Sequence, residues 1–289
     1  MRVIDAFDAP VRTLAVSPDG RFLAAATATE LATWNWISGE ELNRKPTRGS
    51  VAQLAFGPDS GWLARVCRRD EFELTHPETG RRVHSFPGLF SGGVAVAPDG
   101  RTLVATRTGS QQRVKLEQWE LPGWREKTGF DFWSPFSRLA FSPNGEFLAG
   151  IDTNLFELRI AVTGGLNGQH RIRYVGEGFF SFSRDSQTVV FGWETDLHIM
   201  ETSNGNKPRW VTCPDNRMFL DVAFVGSGRH FATVDGSPLM RMWSAESWQI
   251  VRGYDWGFGD LTCVASSADG LAGVCGTKTG KLVVFDVDE

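Results

Sequence analysis

Ser17-Pro18-Asp19-Gly20 closes one apolar run and opens another, and the chain returns to a turn of this kind seven times. Aligned on their first residues, the turns begin at Ser17, Gly57, Ala97, Ser142, Ser183, Val225 and Ser267, at intervals of 40, 40, 45, 41, 42 and 42 residues. This periodicity constrains the architecture more than composition does, because a unit of that length buries its apolar faces only by stacking on its neighbours. Ahead of the turns, apolar residues alternate, as in Leu14 and Val16, Leu54 and Phe56, Val94 and Val96, or Leu139 and Phe141, the period-two signature of a strand. Behind them come second runs, such as Phe22-Leu23-Ala24, Trp62-Leu63-Ala64 and Phe147-Leu148-Ala149. Pro, Asp and Gly between two such runs supply the fixed and positive φ values of a β-hairpin.

A bulky residue followed by a second, usually polar one then recurs: Trp34-Asn35, Thr75-His76, Trp119-Glu120, Ile160-Ala161, Met200-Glu201, Trp243-Ser244 and Phe285-Asp286. The first members lie 14, 15, 19, 15, 14, 15 and 15 residues beyond the fourth turn residue, and the surplus in the third repeat falls in the polar stretch Gly109 to Arg113, read as a lengthened loop. Gly39, Gly80, Gly165 and Gly205 mark a further reversal before fourth strands such as Arg81 to Phe86 or Arg171 to Val175. Four short strands per repeat with no helical period predict an all-β, seven-bladed β-propeller of four-stranded antiparallel blades. The last repeat runs out after Lys281 to Asp286, and Arg2 to Phe7 is left over at the other end, so the two termini are expected to share one blade and cover its open edge. Residues 1–289 then form a single domain.

The stretch Gly270 to Asp286, GLAGVCGTKTGKLVVFD, resembles the second half of a WD repeat, as do Trp34-Asn35 and Trp243-Ser244 at their offsets. The chain resembles a degenerate WD-repeat β-propeller: no Gly-His dipeptide precedes a first strand and no Trp-Asp pair occurs. In that family the His and Asp share a buried hydrogen-bond network, so the resemblance implies that cohesion here rests more on aromatic packing. It implies a fold and assigns no residue role, since this scaffold carries many activities.

Thirty Lys and Arg against 34 Asp and Glu give a net charge of -4, so no overall field draws the chain to nucleic acid or an anionic membrane. The N-terminal MRVIDAFDAP is read as neither a secretory signal nor an anchor, and a cytoplasmic address is expected. Cys67, Cys213, Cys263 and Cys275 lack CxxC spacing, which argues against zinc and a disulfide framework, although Cys263 and Cys275 can face one another across a hairpin. His76, His84, His170, His198 and His230 fall at unrelated offsets, and no phosphate-cradling glycine motif precedes a helix, so no cofactor is expected. In the second repeat Arg65, Arg68, Arg69, Arg81 and Arg82 are interleaved with Asp70, Glu71, Glu73 and Glu78, and their charges largely cancel.

Antiparallel strands send successive loops to opposite ends of a blade, so the loops entering each first strand share one face and the Ser-Pro-Asp-Gly turns share the other. The entrance loops carry Phe90, Phe132, Trp133, Tyr254, Trp256 and Phe258, with Arg48 and Arg217. Trp, Tyr and Arg dominate binding hot spots, and these eight residues are the candidate partner-binding face. The competing reading is that the rings plug the top of the core. Phe136, Phe219, Trp34, Trp119 and Trp243 are assigned to the core. The expected function is a non-enzymatic scaffold for a protein or peptide, alone or in a larger complex. The alternative is a lactonase-like hydrolase with an axial metal, for which Asp8, Glu177, Asp215, Asp221, Asp255 and Asp260 near the entrances are the available acids.

Overall fold

The computed structural model describes residues 1–67, 70–108, 114–127, 136–163, 169–173, 178–203 and 209–287, and among these there is no helix. The expected loop at Gly109 to Arg113, together with Gly165 and Gly205, lies outside the described residues. The strands form a β-propeller arrangement in which each repeat contributes an antiparallel meander. The first repeat is Thr13–Val16, Phe22–Ala26, Glu30–Asn35 and Glu41–Pro46, and the fourth, fifth and sixth repeats give equivalent four-stranded sheets beginning at Phe136, Phe179 and Asp221. In the last sheet Arg2–Asp5 pairs antiparallel with Lys281–Asp286, Arg2 opposite Val284 and Asp5 opposite Lys281.

The second and third repeats depart from separate four-stranded blades. A 15-residue strand, Arg82–Val96, is both the last strand of one and the first of the other, which joins them into a seven-stranded sheet beside five four-stranded ones. Phe90 makes the join: it pairs with Asp70 on one side and Arg107 on the other. No entrance loop forms here because Phe90 is drawn fully into the apolar core, against Phe72 and Trp119.

In all seven turns the N–H of the fourth residue donates to the carbonyl of the first. In the first, Gly20 N–H donates to Ser17 O at 3.0 Å, Ser17 N–H to Phe22 O at 2.9 Å, and Asp19 Oδ1 accepts from Ser17 Oγ and Arg21 N–H at 2.7 and 3.0 Å. The fourth residue of all seven turns is left-handed, with Ser60 at φ 56° and Ser186 at φ 61° where the others have glycine. Successive turns also touch: Asp19 N–H donates to Ser60 Oγ and Asn144 N–H to Ser186 Oγ, at 3.3 and 3.0 Å.

Among the described residues the core divides into seven apolar clusters, each drawn from two repeats consecutive in the chain or, in one case, from the last and the first. Leu23 and Ala25 enter the cluster shared with the last repeat, and Phe22, Ala24 and Ala26 the one shared with the second. Strand alternation thus divides each sheet between its neighbours. First strands of adjacent sheets meet at the axis. There Gln53 reaches across two of them, donating to Leu139 O at 2.8 Å and accepting from Val94 and Leu139 N–H at 3.1 and 3.0 Å. Arg138 reaches further, to Asp221 at 2.7 Å, while the second oxygen of Asp221 accepts from Val264 N–H at 3.1 Å.

Two further expectations are corrected. Cys263 lies opposite Gly276 and Cys275 opposite Val264, so the two thiols occupy opposite faces of the sheet and separate clusters; a bulge between Leu261 and Cys263 sets this register. Burial raises Cys263 to about 12 and Cys275 well above a normal thiol. In the fourth repeat the position of Trp34 is held by Ala161, opposite Leu148, rather than by Ile160. Polar contacts accompany the aromatic packing: Trp243 donates to Thr233 Oγ1 at 2.8 Å inside the sheet, and charged pairs are buried alongside.

Two tests follow from the turns. Gly20 has open space around it, so G20A carries only the strain of a left-handed alanine, about 1–2 kcal/mol. A Cβ on Gly270 would overlap Gly226 O of the neighbouring turn, so G270A lowers the melting temperature clearly more than G20A, and equal shifts would contradict this packing. Desolvation pushes Asp19 up, but bonds from Ser17, Arg21 and Ser60 outweigh it and hold the carboxyl at about 2. Its stabilisation is therefore present above the usual value of 3.8 and lost as pH falls towards 2. In D19N the amide oxygen still caps the turn, as Asn144 does in the fourth repeat; acid unfolding curves of D19N should be shallower between those values, with little change at neutral pH.

Candidate functional site

The entrance-loop face is built around a segment that the structure holds rigidly. Between the fifth and sixth repeats, Cys213 to Leu220 is fixed by four backbone bonds: Cys213 N–H to Thr195 O at 2.7 Å, Asn216 N–H to Cys213 O at 2.9 Å, Phe219 N–H to Glu194 O at 2.7 Å and Leu220 N–H to Val234 O at 2.8 Å. Phe219 is buried and packs edge-on against Trp243. With that ring as anchor, Arg217, Met218 and Leu220 are left exposed, Met218 by 58%. Beneath them the buried Arg241 joins Asp235 to Asp215 of the same segment. Desolvation opposes ionisation of Asp235, but the Ser237 hydroxyl and N–H and the Arg241 guanidinium outweigh it and hold the carboxyl below its ordinary value.

On the same face, in the fourth repeat, Leu155 and Phe156 are exposed at the tip of a turn whose Asn154 and Leu155 N–H groups both donate to Asp152 Oδ1 at 3.0 Å. Loop tips held by their own hydrogen bonds present side chains at little ordering cost.

The sequence candidates are distributed unevenly over this face. Arg48 and Arg217 are exposed. Phe90 is fully buried and is removed from the binding face. Tyr254 and Trp256 are half-buried and continue a stack, Tyr254 to Trp256 at 5.8 Å and Trp256 to Phe285 at 5.4 Å, so these rings cap the core and show one edge to solvent. Phe258 is half-buried, its carbonyl accepting from Thr279 Oγ1. Phe132 and Trp133 lie outside the described residues. Met218, Leu220, Leu155 and Phe156 were missed, because aliphatic loop residues look like core in a sequence and their exposure depends on which neighbour is pulled inward.

Four acids of the hydrolase alternative are separately engaged, Asp221 with Arg138, Asp215 with Arg241, Asp260 with Lys278 at 2.8 Å, and Asp255 with Gly257 N–H at 2.9 Å, and Asp8 is exposed. Glu177 lies outside the described residues, and among the described residues no three His, Cys, Asp or Glu side chains come together as metal ligands. Of the arginine patch, Arg65 and Arg82 both bind Glu73, and Arg68 and Arg69 lie outside the described residues. No helix among the described residues is long and apolar enough to cross a membrane.

Along 154 residues the chain is 29% identical to an uncharacterized WD repeat-containing protein of Synechocystis sp., a match covering 51% of this chain and 43% of that protein. Over that half of its length the chain is similar to a WD-repeat protein, and its strands form a propeller arrangement. No family model matches it, in keeping with the absent Gly-His and Trp-Asp dipeptides. The match spans less than half of the curated relative, so the likeness speaks to the propeller and its repeats.

One consequence concerns the base of the exposed segment. D235A strands the Arg241 guanidinium in the core without its inner partner, at a cost of about 3–5 kcal/mol. Urea midpoints should fall accordingly at pH 7, and the gap to wild type should narrow as pH drops below the ordinary Asp value. A D235A midpoint equal to wild type would show that this network does not hold the face together.

Proposed function

We propose that the chain is a single-domain, non-enzymatic interaction scaffold that binds a protein or peptide on its entrance-loop face, with a closed ring of seven blades as its frame. The observation that carries the function is the fixed Cys213–Leu220 segment, which offers a cation and two aliphatic side chains to solvent around a buried phenylalanine. Exposed apolar groups on a loop already ordered by backbone bonds suit recognition better than catalysis, which needs converging polar groups. Leu155, Phe156, Arg48 and the exposed edge of Trp256 extend the same face.

The ring count is supported by the seven inter-repeat clusters, in which the seven-stranded sheet counts as two blades, and by the pairing of Arg2–Asp5 with the last repeat. The WD-repeat relative favours a scaffold in the same sense. The near-balanced charge gives nucleic acid or an anionic membrane no field to follow, and a cytoplasmic address fits this reading.

The test uses the immobilised full chain. Wild type should retain a defined partner from native lysate, and the double variant R217E/M218D should lose that same partner while its melting temperature stays unchanged, since both side chains are exposed. Retention of the partner by the variant would remove this face from the function.

A further inference from the structure

The face opposite the entrance loops carries a separate cavity of about 270 Å³, lying between the second and third repeats and open to solvent. Its walls are Pro58 and Asp59 of one turn, Trp62, and Leu121, Pro122 and Trp124 of the loop that ends the third strand of the next repeat. The two indoles stand 5.9 Å apart at 71°, as adjacent walls. Each has one side already covered. Trp62 lies against the backbone of Gly57, where any Cβ would run into its ring, and Trp124 is stacked on His84 at 4.9 Å and 10°. Both rings line the cavity, Trp62 buried and Trp124 half-buried.

Asp59 is the charged residue of this lining. Its Oδ1 caps the turn, accepting from Gly61 N–H at 3.0 Å, whereas Oδ2 has no hydrogen bond or ion pair among the described residues. Burial lowers His84, so its ring is neutral at pH 7 and puts no competing charge behind Trp124. Arginines placed over rings among the described residues sit on Phe7, Phe22, Phe90, Trp248 and Tyr254, so neither indole of the cavity is satisfied by an internal cation.

Two indole rings and one carboxylate with an unbonded oxygen, lining an apolar hollow, select a particular ligand chemistry. An anion meets Asp59 with the same sign, and a neutral apolar group desolvates that carboxylate without return. A cation on an alkyl stem satisfies all three groups, resting its charge over the indoles and against the carboxylate while its stem contacts Leu121 and the prolines. We infer that this cavity is a binding site for an alkylammonium group, of the kind that a lysine side chain presents. It is independent of the entrance-loop face, and its test does not depend on that face having a partner.

Calorimetric titration of the full chain with choline, with its neutral isostere 3,3-dimethylbutanol, and with N-acetyl-lysine methylamide reads the proposal directly. Choline or the lysine amide should bind saturably, with the isostere about ten-fold weaker or worse. D59N keeps an oxygen to cap Gly61, so it should retain the melting temperature and lose about ten-fold in affinity for the cation. W124A should lose as much, and D99N, outside the lining, should lose nothing. Tighter binding of the lysine amide than of choline assigns the source to a partner chain, and the reverse assigns it to a free ammonium compound. Equal binding of the neutral isostere, undiminished binding by D59N, or no saturable binding of either cation overturns the assignment.

Discussion

No sheet in this protein can bury both of its faces by itself, and the whole architecture follows from how that problem is solved. Along Phe22–Ala26 every residue is buried, yet successive side chains go to different neighbours, Leu23 and Ala25 to one and Phe22, Ala24 and Ala26 to the other. A sheet so arranged is an incomplete structure until a neighbour lies on each side. Each repeat added in a row covers one exposed face and presents another. One cluster joins Trp34 and Phe7 to Cys263 and Leu282 in the same way.

Charge enters this apolar frame at a recurrent position. Two residues before the bulky site of the third strand stand Glu73, Glu117, Arg159 and Arg241, all buried. The sign varies but the remedy does not. Glu73 meets Arg65 and Arg82, Glu117 meets Arg107 and Lys115, Arg159 meets Asp152 and Glu157, and Arg241 meets Asp235. A buried charge is costly to strip of its partner, whether that partner is itself buried, as Asp152 and Asp235 are, or reaches in from the surface, as Arg82 and Lys115 do. The effect of these pairs is to fix which strand lies beside which.

The repeat and its antiparallel strands were legible because they depend on period and turn chemistry, both local. Ser-Pro-Asp-Gly specifies its own hydrogen bonds and its own positive φ wherever it occurs. What could not be read was decided between repeats. Phe90 sits in a glycine-rich stretch that looks like a loop, and only the presence of Phe72 and Trp119 nearby draws it inward and extends the strand through it. Met218 and Phe219 are adjacent apolar residues in the same loop, and their opposite fates were set by Trp243, which accommodates one ring. The position of Ala161 was lost because alternation in Glu157–Val162 gives no mark of register when nearly every residue is buried.

The two ends of the blades have been shaped by different constraints. At the turn end the backbone must reverse within four residues, so side chains are short and oxygen-bearing, and bonds such as Asp19 to Ser60 tie one repeat to the next. Any cavity there must come from elsewhere, and Trp62 and Trp124 supply it from the start of a second strand and the end of a third. At the entrance end the chain must cross from the outer edge of one sheet to the axis of the next. That longer path leaves residues over once the backbone is satisfied. Where a single ring such as Phe219 anchors the crossing, the residues on either side are free to differ without affecting the core, and a scaffold acquires a new specificity most readily at such positions.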